Sequence, residues 1–255
     1  MAEGHKLIVS FATALTLFCI AETIDAEKSA AGINACSAIT VGKVCGCNLT
    51  QLRPLQGAVG MNEVQYKKNA ILHHPKRERD KLEKDPIKVV AGPDGQLFIT
   101  DHRHGAEAWL VANTKWGANG LCEVVNAQKK LPSTFQTEDQ FWTALKAANL
   151  VRLKDKDGKD IDASQLPQAL DAMADDPYRS LAWLVRQRGG YCKSPSEFAE
   201  FAWADWFRTK GLGTAKLPSD PGDESKTVSK AVELAHTSEA KDKKLPGYSS
   251  GGCER

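Results

Sequence analysis

The sequence predicts an α+β protein: a small α/β domain over residues 48–130, then a mainly helical region over 131–240 packed on it, and a polar tail over 241–255. Two patterns predict this. In the first part, short β-branched and aromatic runs such as Ile87–Ala91 and Phe98–Thr100 sit beside Gly/Pro/Asp turns and helical patterns. In the second part, apolar residues recur at helical spacing behind capping residues. A hydrophobic content of 42% and a charged content of 26% are those of an ordinary globular chain, which supports an ordinary packed core. A net charge of +2 argues against a dedicated nucleic-acid or membrane-surface protein, although a local basic patch is still allowed.

The N-terminus reads as an export signal. Leu7 to Ala21 is an apolar run behind Lys6, too short for a comfortable membrane span and suited to a signal-peptide core. Cys19-Ile20-Ala21 offers cleavage before Glu22, Ile24-Asp25-Ala26 is a second candidate, and an uncleaved anchor is the alternative. The bulky Phe18 before Cys19 argues against a lipoprotein anchor. A signal peptide over 1–21 implies a secreted or periplasmic protein with no stable membrane association after cleavage. Of the seven cysteines, Cys36, Cys45, Cys47, Cys122, Cys192 and Cys253 then remain. An even number in an exported chain suggests disulfides whose pairing the sequence leaves open. Cys45 and Cys47, one residue apart, are expected to take different partners. No CxxC pair and no nearby His supports zinc. Asn48-Leu49-Thr50 is a glycosylation sequon that matters only in a eukaryotic secretory pathway.

Taken in order, Glu22 to Cys47 is an Ala/Gly/Ser-rich arm carrying cysteines. Leu52-Arg53-Pro54-Leu55-Gln56 is extended, because Pro54 pushes Arg53 out of helical geometry. Met61 to Leu72 fits a short amphipathic helix. Lys67 to Lys88 carries more Lys and Arg than Asp and Glu and reads as a solvated face. Ile87–Ala91 and Phe98–Thr100 form a hairpin across Gly92-Pro93-Asp94-Gly95, and Arg103 to Asn113 a helix with Asp101 as its N-cap. Cys122 to Asn126 reads as a strand. Thr137 to Gln140 opens a helix with Phe141, Trp142, Leu145 and Leu150 on its apolar side. Lys154 to Asp160 fails the calcium-loop pattern and reads as a hairpin turn. Asp176-Pro177 starts a helix that Gly189-Gly190 ends, and Ser194-Pro195-Ser196-Glu197 opens the next. The dense aromatics Phe198, Phe201, Trp203, Trp206 and Phe207 have the spacing of a buried helix rather than a base-stacking surface. Thr227 to His236 is the last helix.

Three polar sets are candidates to converge: Arg53 and Gln56, then Glu63 with Lys67 or Lys68, then Asp101, His102, Arg103 and His104. Cationic and titratable side chains at a helix N-terminus suit an anion, and a carboxylate beside them suits a general base. That pairing is what phosphoryl chemistry needs. The alternative at the turn is a capped surface turn, and a divalent metal on His102 and His104 with Asp101 is a third reading. Two histidines two residues apart at a helix start diverge, so no metal ligands are assigned and the cofactor is left open. Walker, HExxH and GxGxxG motifs are absent from the sequence.

Leu52-Arg53-Pro54-Leu55-Gln56, Val59 to Val64 with Lys67, and Thr100 to His104 together resemble the ParB-like nuclease family, distant kin of the ParB/sulfiredoxin superfamily. Asp176 to Ala182, Gly189-Gly190-Tyr191, Phe198 to Arg208 and Leu245 to Tyr248 resemble its later segments. The resemblance implies a ParB/sulfiredoxin-like domain whose strand-to-helix turn binds phosphate. Carried over, Asp101, His102, His104 and Glu63 would be catalytic, and Arg53, Gln56, Lys67 and Arg103 would bind ligand. The family commonly has adjacent histidines after the Asp, whereas here Arg103 stands between them. The expectation is an exported protein binding a nucleotide or nucleic acid, acting as a nuclease or nucleotide phosphohydrolase or phosphotransferase. Its rival is a disulfide-stabilised binding or effector protein that keeps the fold without turnover.

Overall fold

Five strands form one mixed sheet in the order β1-β6-β4-β5-β2 in the computed structural model, which describes residues 35–36 and 42–253. The strands are β1 (Val44–Asn48), β2 (Arg53–Pro54), β4 (Ile87–Ala91), β5 (Leu97–Ile99) and β6 (Asn119–Val124). The expected signal peptide and most of the arm lie outside the described residues. Strands β4 and β5 make the expected hairpin, β6 runs parallel to β4, and β2 runs parallel to β5. Strand β1 closes the other edge antiparallel to β6, so Cys45 and Cys47 belong to the sheet rather than to an arm. A chain entering this way needs covalent help, and it has it: Cys36 bonds Cys45, and Cys47 bonds Cys122 on β6. Cys192 bonds Cys253. Cys45 and Cys47 thus take different partners, as their spacing requires.

Helices cover both faces of the sheet, and the two-residue side-chain period decides which residue meets which helix. Ile87, Val89 and Ile99 enter a core with Val64 and Ile71 of α1 (Met61–His73) and with Ala106 and Trp109 of α3 (Arg103–Ala112). Val90 and Phe98 face the other way, against Phe141 and Leu145 of α4 (Glu138–Ala147). The basic stretch holds a helix that its polarity conceals, α2 (Pro75–Lys84). Only Leu82 and Arg79 are buried on it, and Arg79 Nη1 donates to the Asn119 carbonyl at 2.9 Å.

The helical region shares its hydrogen bonds with the α/β part. Strand β3 (Ala58–Val59) pairs in parallel with β7 (Ala174–Asp175), and the Arg152 N–H donates to the Leu55 carbonyl. Helix α5 (Pro177–Gln187) is capped by Asp176, which accepts from the N–H groups of Tyr178 and Arg179. It packs with α6 (Ala199–Thr209) and α7 (Lys226–Ala235) around Trp203, Phe207 and Val228, and Tyr191 stacks on Trp203 at 4.3 Å. A short helix α8 (Ser238–Asp242) follows. The aromatics on α6 are core, as their spacing implies.

One helix begins later than its capping signal. The Ser194 hydroxyl accepts from Ser196 N–H in a local turn, and Glu197 pairs with Lys129 instead of folding back, so α6 starts at Ala199. Strand β6 also ends earlier than expected, at Val124. The buried Asn126 side chain instead exchanges hydrogen bonds with the Ala91 backbone, closing the sheet by side-chain mimicry. No helix among the described residues is long and apolar enough to cross a membrane. The disulfides are compatible with an extracellular location.

Removing the Cys47–Cys122 bridge, as Cys47→Ala with Cys122→Ala, frees a loop of 75 residues in the unfolded chain. Chain-entropy reasoning puts the loss near 4 kcal/mol, with measured losses usually about 2–4 kcal/mol. Urea unfolding under non-reducing conditions should register it as a lower midpoint with a steeper slope, because the opened unfolded chain exposes more surface.

Candidate functional site

The turn from β5 into α3 is built differently from its sequence expectation. Thr100 anchors it through N–H and hydroxyl donations to the Lys88 carbonyl. Asp101 precedes the cap instead of forming it. The cap residue is His102, in the left-handed region at φ 64°, and Asp101 Oδ1 accepts the His102 N–H at 2.7 Å. A left-handed non-glycine residue costs on the order of 1 kcal/mol, and here the ring is held on both sides. His102 Nδ1 lies 3.2 Å from the Pro86 carbonyl, and Nε2 lies 3.2 Å from Asp85 Oδ2. The first N–H groups of α3, at Arg103, His104 and Gly105, meet no acceptor among the described residues. Beside them, a Cβ at Gly105 would face open space.

The second half of the turn points inward. His104 Nε2 accepts the Gly60 N–H at 3.1 Å, so its proton sits on Nδ1, which faces Glu63 Oε2 at 3.6 Å. Burial pushes the imidazole well below its ordinary range despite the Glu63 charge, so His104 is neutral. Glu63 also receives Arg179 Nη2 at 3.1 Å and Lys67 Nζ at 2.9 Å. Burial alone would raise its carboxyl, but the Lys67 and Arg179 cations outweigh that and hold it well below the usual carboxylate range. Arg179 reaches on toward Glu200, which binds Arg186 at 2.9 Å. His102 and His104 therefore diverge, one toward Asp85 and the other into this network. Among the described residues only Cys36, Cys47 and Cys122 cluster closely enough for a metal, and all three are in disulfides.

Arg103 lies over the Phe198 ring at 4.9 Å, with a buried Nη1 that has no partner. Burial lowers its pKa, and Asp101, Glu197 and Glu200 counter that. Asp101 stands at the surface. What desolvation its carboxylate suffers is outweighed by His102, Arg103, Lys129 and the His102 N–H, which hold it below the usual range. Asp101, Arg103 and Lys129 thus share one neighbourhood at the open end of α3, while Glu63, Lys67 and His104 form the buried layer behind it.

Arg53 does not join them. It pairs in register with Phe98, whose ring it overlies at 5.8 Å, and so faces α4 on the opposite side of the sheet. Gln56 is fully buried, with Nε2 donating to the Ala58 carbonyl at 2.6 Å. The residues that the sequence did not mark as site residues are Arg179, Glu200, Lys129 and Phe198. Each comes from a segment far along the chain. The one available signal was a cation, Arg179, in the first turn of a helix, where the dipole disfavours positive charge.

The family described as "Putative ParB-like nuclease" matches residues 45–209, from β1 to the end of α6. The chain belongs to this family. A solved structure from the same comparison, protein Atu1540 from Agrobacterium tumefaciens, is 31% identical and superposes with a TM-score of 0.66. That alignment covers 83% of this chain and 99% of the other. No curated protein matches the chain. The match to the ParB-like nuclease family spans Glu63, the Asp101–His104 turn and Arg179 alike, so the buried network falls within the family's own extent.

Removing the Arg179 charge tests how far the fold depends on that network. Arg179→Met leaves the Glu63 carboxylate buried beside only Lys67, and should lower unfolding stability by about 3–5 kcal/mol. Adding Glu63→Gln should restore part of the loss in denaturant titrations. A second prediction concerns Glu107 on α3. Burial, with Asp171 and Asp175 nearby, raises its carboxyl from 4.5 to about 8. A raised acid binds its proton more tightly in the fold, so this contribution to stability is full below 4.5 and is lost as pH rises toward 8. Glu107→Gln should therefore gain in melting temperature over the parent as pH rises from about 5 to about 9, the reverse of a stabilising carboxylate.

Proposed function

We propose that this ParB-like protein is exported and binds a phosphate group of a nucleotide or nucleic acid at the open end of α3. The observation that carries the reading is the set of N–H groups at Arg103, His104 and Gly105 that meet no acceptor among the described residues and open on space at Gly105, in a turn whose Arg103 keeps an unpartnered Nη1. Backbone N–H groups at a helix start, the helix dipole and a guanidinium offer donors only, which is what a phosphate oxygen accepts. Lys129 adds positive charge near Asp101. The apolar run before Glu22 and the three disulfides support export.

For phosphoryl transfer, the turn supplies transition-state charge through Arg103 and the α3 N–H groups. Asp101 is the carboxylate that reaches solvent beside that position, and it is our choice to orient an attacking water. Glu63 and His104 are poorly suited to proton transfer. Glu63 is held ionised by two cations, and the His104 lone pair is taken by the Gly60 N–H. These two groups serve instead to fix the position of α3. The same observation favours the second reading, a binding or effector protein of this fold without turnover.

Thermal melts in increasing inorganic phosphate or nucleotide should show a rising melting temperature for the parent and a flat one for Arg103→Met. About 2.7 kcal/mol of stabilisation is expected at a hundredfold excess over Kd. A flat parent curve at tens of millimolar would remove the phosphate reading. Nuclease and nucleotide-hydrolysis assays with added divalent metal then separate turnover from binding. Loss of cleavage in Asp101→Asn with an unchanged melt supports the enzyme, and phosphate binding with no cleavage by the parent supports the second reading.

A further inference from the structure

The opposite side of the sheet carries a groove that the phosphate reading does not use. It has a volume of about 1030 Å³ and runs between the β4–β5 hairpin, β2, the start of α4 and the segment 162–168. Its floor is aromatic. Phe98 and the half-buried Trp142 meet edge to face at 5.8 Å. Arg53 projects into it with a buried Nε that has no partner, and the guanidinium makes no ion pair among the described residues. The groove is also lined by Glu138 and Asp162 and by the amides of Gln96 and Gln168. Both amides have their nitrogens engaged, Gln96 Nε2 on the Gln51 carbonyl at 2.7 Å and Gln168 Nε2 on the Leu166 carbonyl at 2.9 Å. Their oxygens are left to accept.

The donor and acceptor balance selects among ligand classes. A phosphate or nucleic-acid backbone offers acceptors only and would meet the carboxylates of Glu138, Asp139 and Asp162 against the cations of Arg53 and Lys146. A purely apolar ligand would leave Arg53 and the amide oxygens without partners. A sugar hydroxyl both donates and accepts. It can therefore satisfy a carboxylate, an amide oxygen and a guanidinium in one ring, while the C–H face of the ring covers an aromatic floor. A volume of about 1030 Å³ leaves room for more than one ring, as a site for a chain needs.

We propose that this groove binds a neutral oligosaccharide, with Trp142 as the stacking platform and Arg53, Asp162 and Gln168 holding hydroxyls. The site lies across the sheet from the α3 turn, so occupancy of one does not require the other. Calorimetric titration of the full disulfide-bonded chain with chitotriose, cellotriose and maltotriose in turn tests it. At least one trisaccharide should bind saturably at millimolar concentration or below. Asp162 and Gln168 are exposed, so Gln168→Ala should leave the melting temperature unchanged, and Asp162→Ala should lower it only by the loss of the cap on the 163–165 turn. Each should weaken binding by about tenfold, the loss expected for one hydrogen bond to a charged or well-placed polar group. Arg103→Met should leave sugar binding as it is, which keeps the result separate from the phosphate reading. Absence of saturable binding by all three trisaccharides overturns the proposal. So does binding that survives both rim substitutions, or a sugar displaced by inorganic phosphate.

Discussion

The buried pair of Glu63 and Arg179 is the constraint around which the rest of this structure is arranged. Two ionised groups this far from water are tolerated only when each finds its partner. One comes from the first turn of α1 and the other from the first turn of α5, 116 residues apart. Satisfying them brings the helical region against the α/β domain at one required place. The surrounding contacts follow from that placement. Asp175 Oδ1 accepts the Met61 N–H, and the Ser180 hydroxyl accepts the Asn62 N–H, so the start of α1 is capped from across the interface. Gly60 offers no cap of its own and passes so near α5 that a Cβ there would lie 2.9 Å from the Ser180 nitrogen. The crossing needs glycine, and the caps have to come from elsewhere.

The same network sets the chemistry of the turn. His104 spends its lone pair on Gly60 and its proton toward Glu63, so it acts as a brace for α3. Arg103, one residue earlier on the helix, lies over Phe198. The histidine–arginine–histidine order thus resolves into three directions: His102 to Asp85, Arg103 to α6 and His104 to α1. Glu63 and His104, the groups that most resemble a general base in sequence, are engaged with Lys67, Arg179 and Gly60 in holding the fold.

Much of the architecture was legible wherever a signal was local. The β4–β5 hairpin follows from Gly92-Pro93-Asp94-Gly95 between apolar runs, and α4 and α5 follow from Thr137 and Asp176, which do cap them. Helix α2 was not legible, because a helix that buries little more than Leu82 shows no apolar stripe. The start of α6 was misread, since Ser194 and Glu197 had closer partners than each other. Asp101 and His102 exchanged roles for a similar reason. A carboxylate directly before a left-handed residue reaches that residue's N–H before it reaches the helix.

By itself, the sequence determined the family, through its motif resemblance, and the mixed class, the hairpin, most helices and the separate partners of Cys45 and Cys47. The latter rest on periodicity, turn chemistry, caps and cysteine spacing, all of which act over a few residues. Only the tertiary structure decided which candidate site residues meet. Arg53 and Glu63 stand ten positions apart in the chain, yet side-chain alternation puts Arg53 on the α4 face and the sheet between them. Glu63 and Arg179 are remote in the chain and touch. Chain proximity says little about either, because strand register and the pairing of buried charge are settled only when distant segments pack.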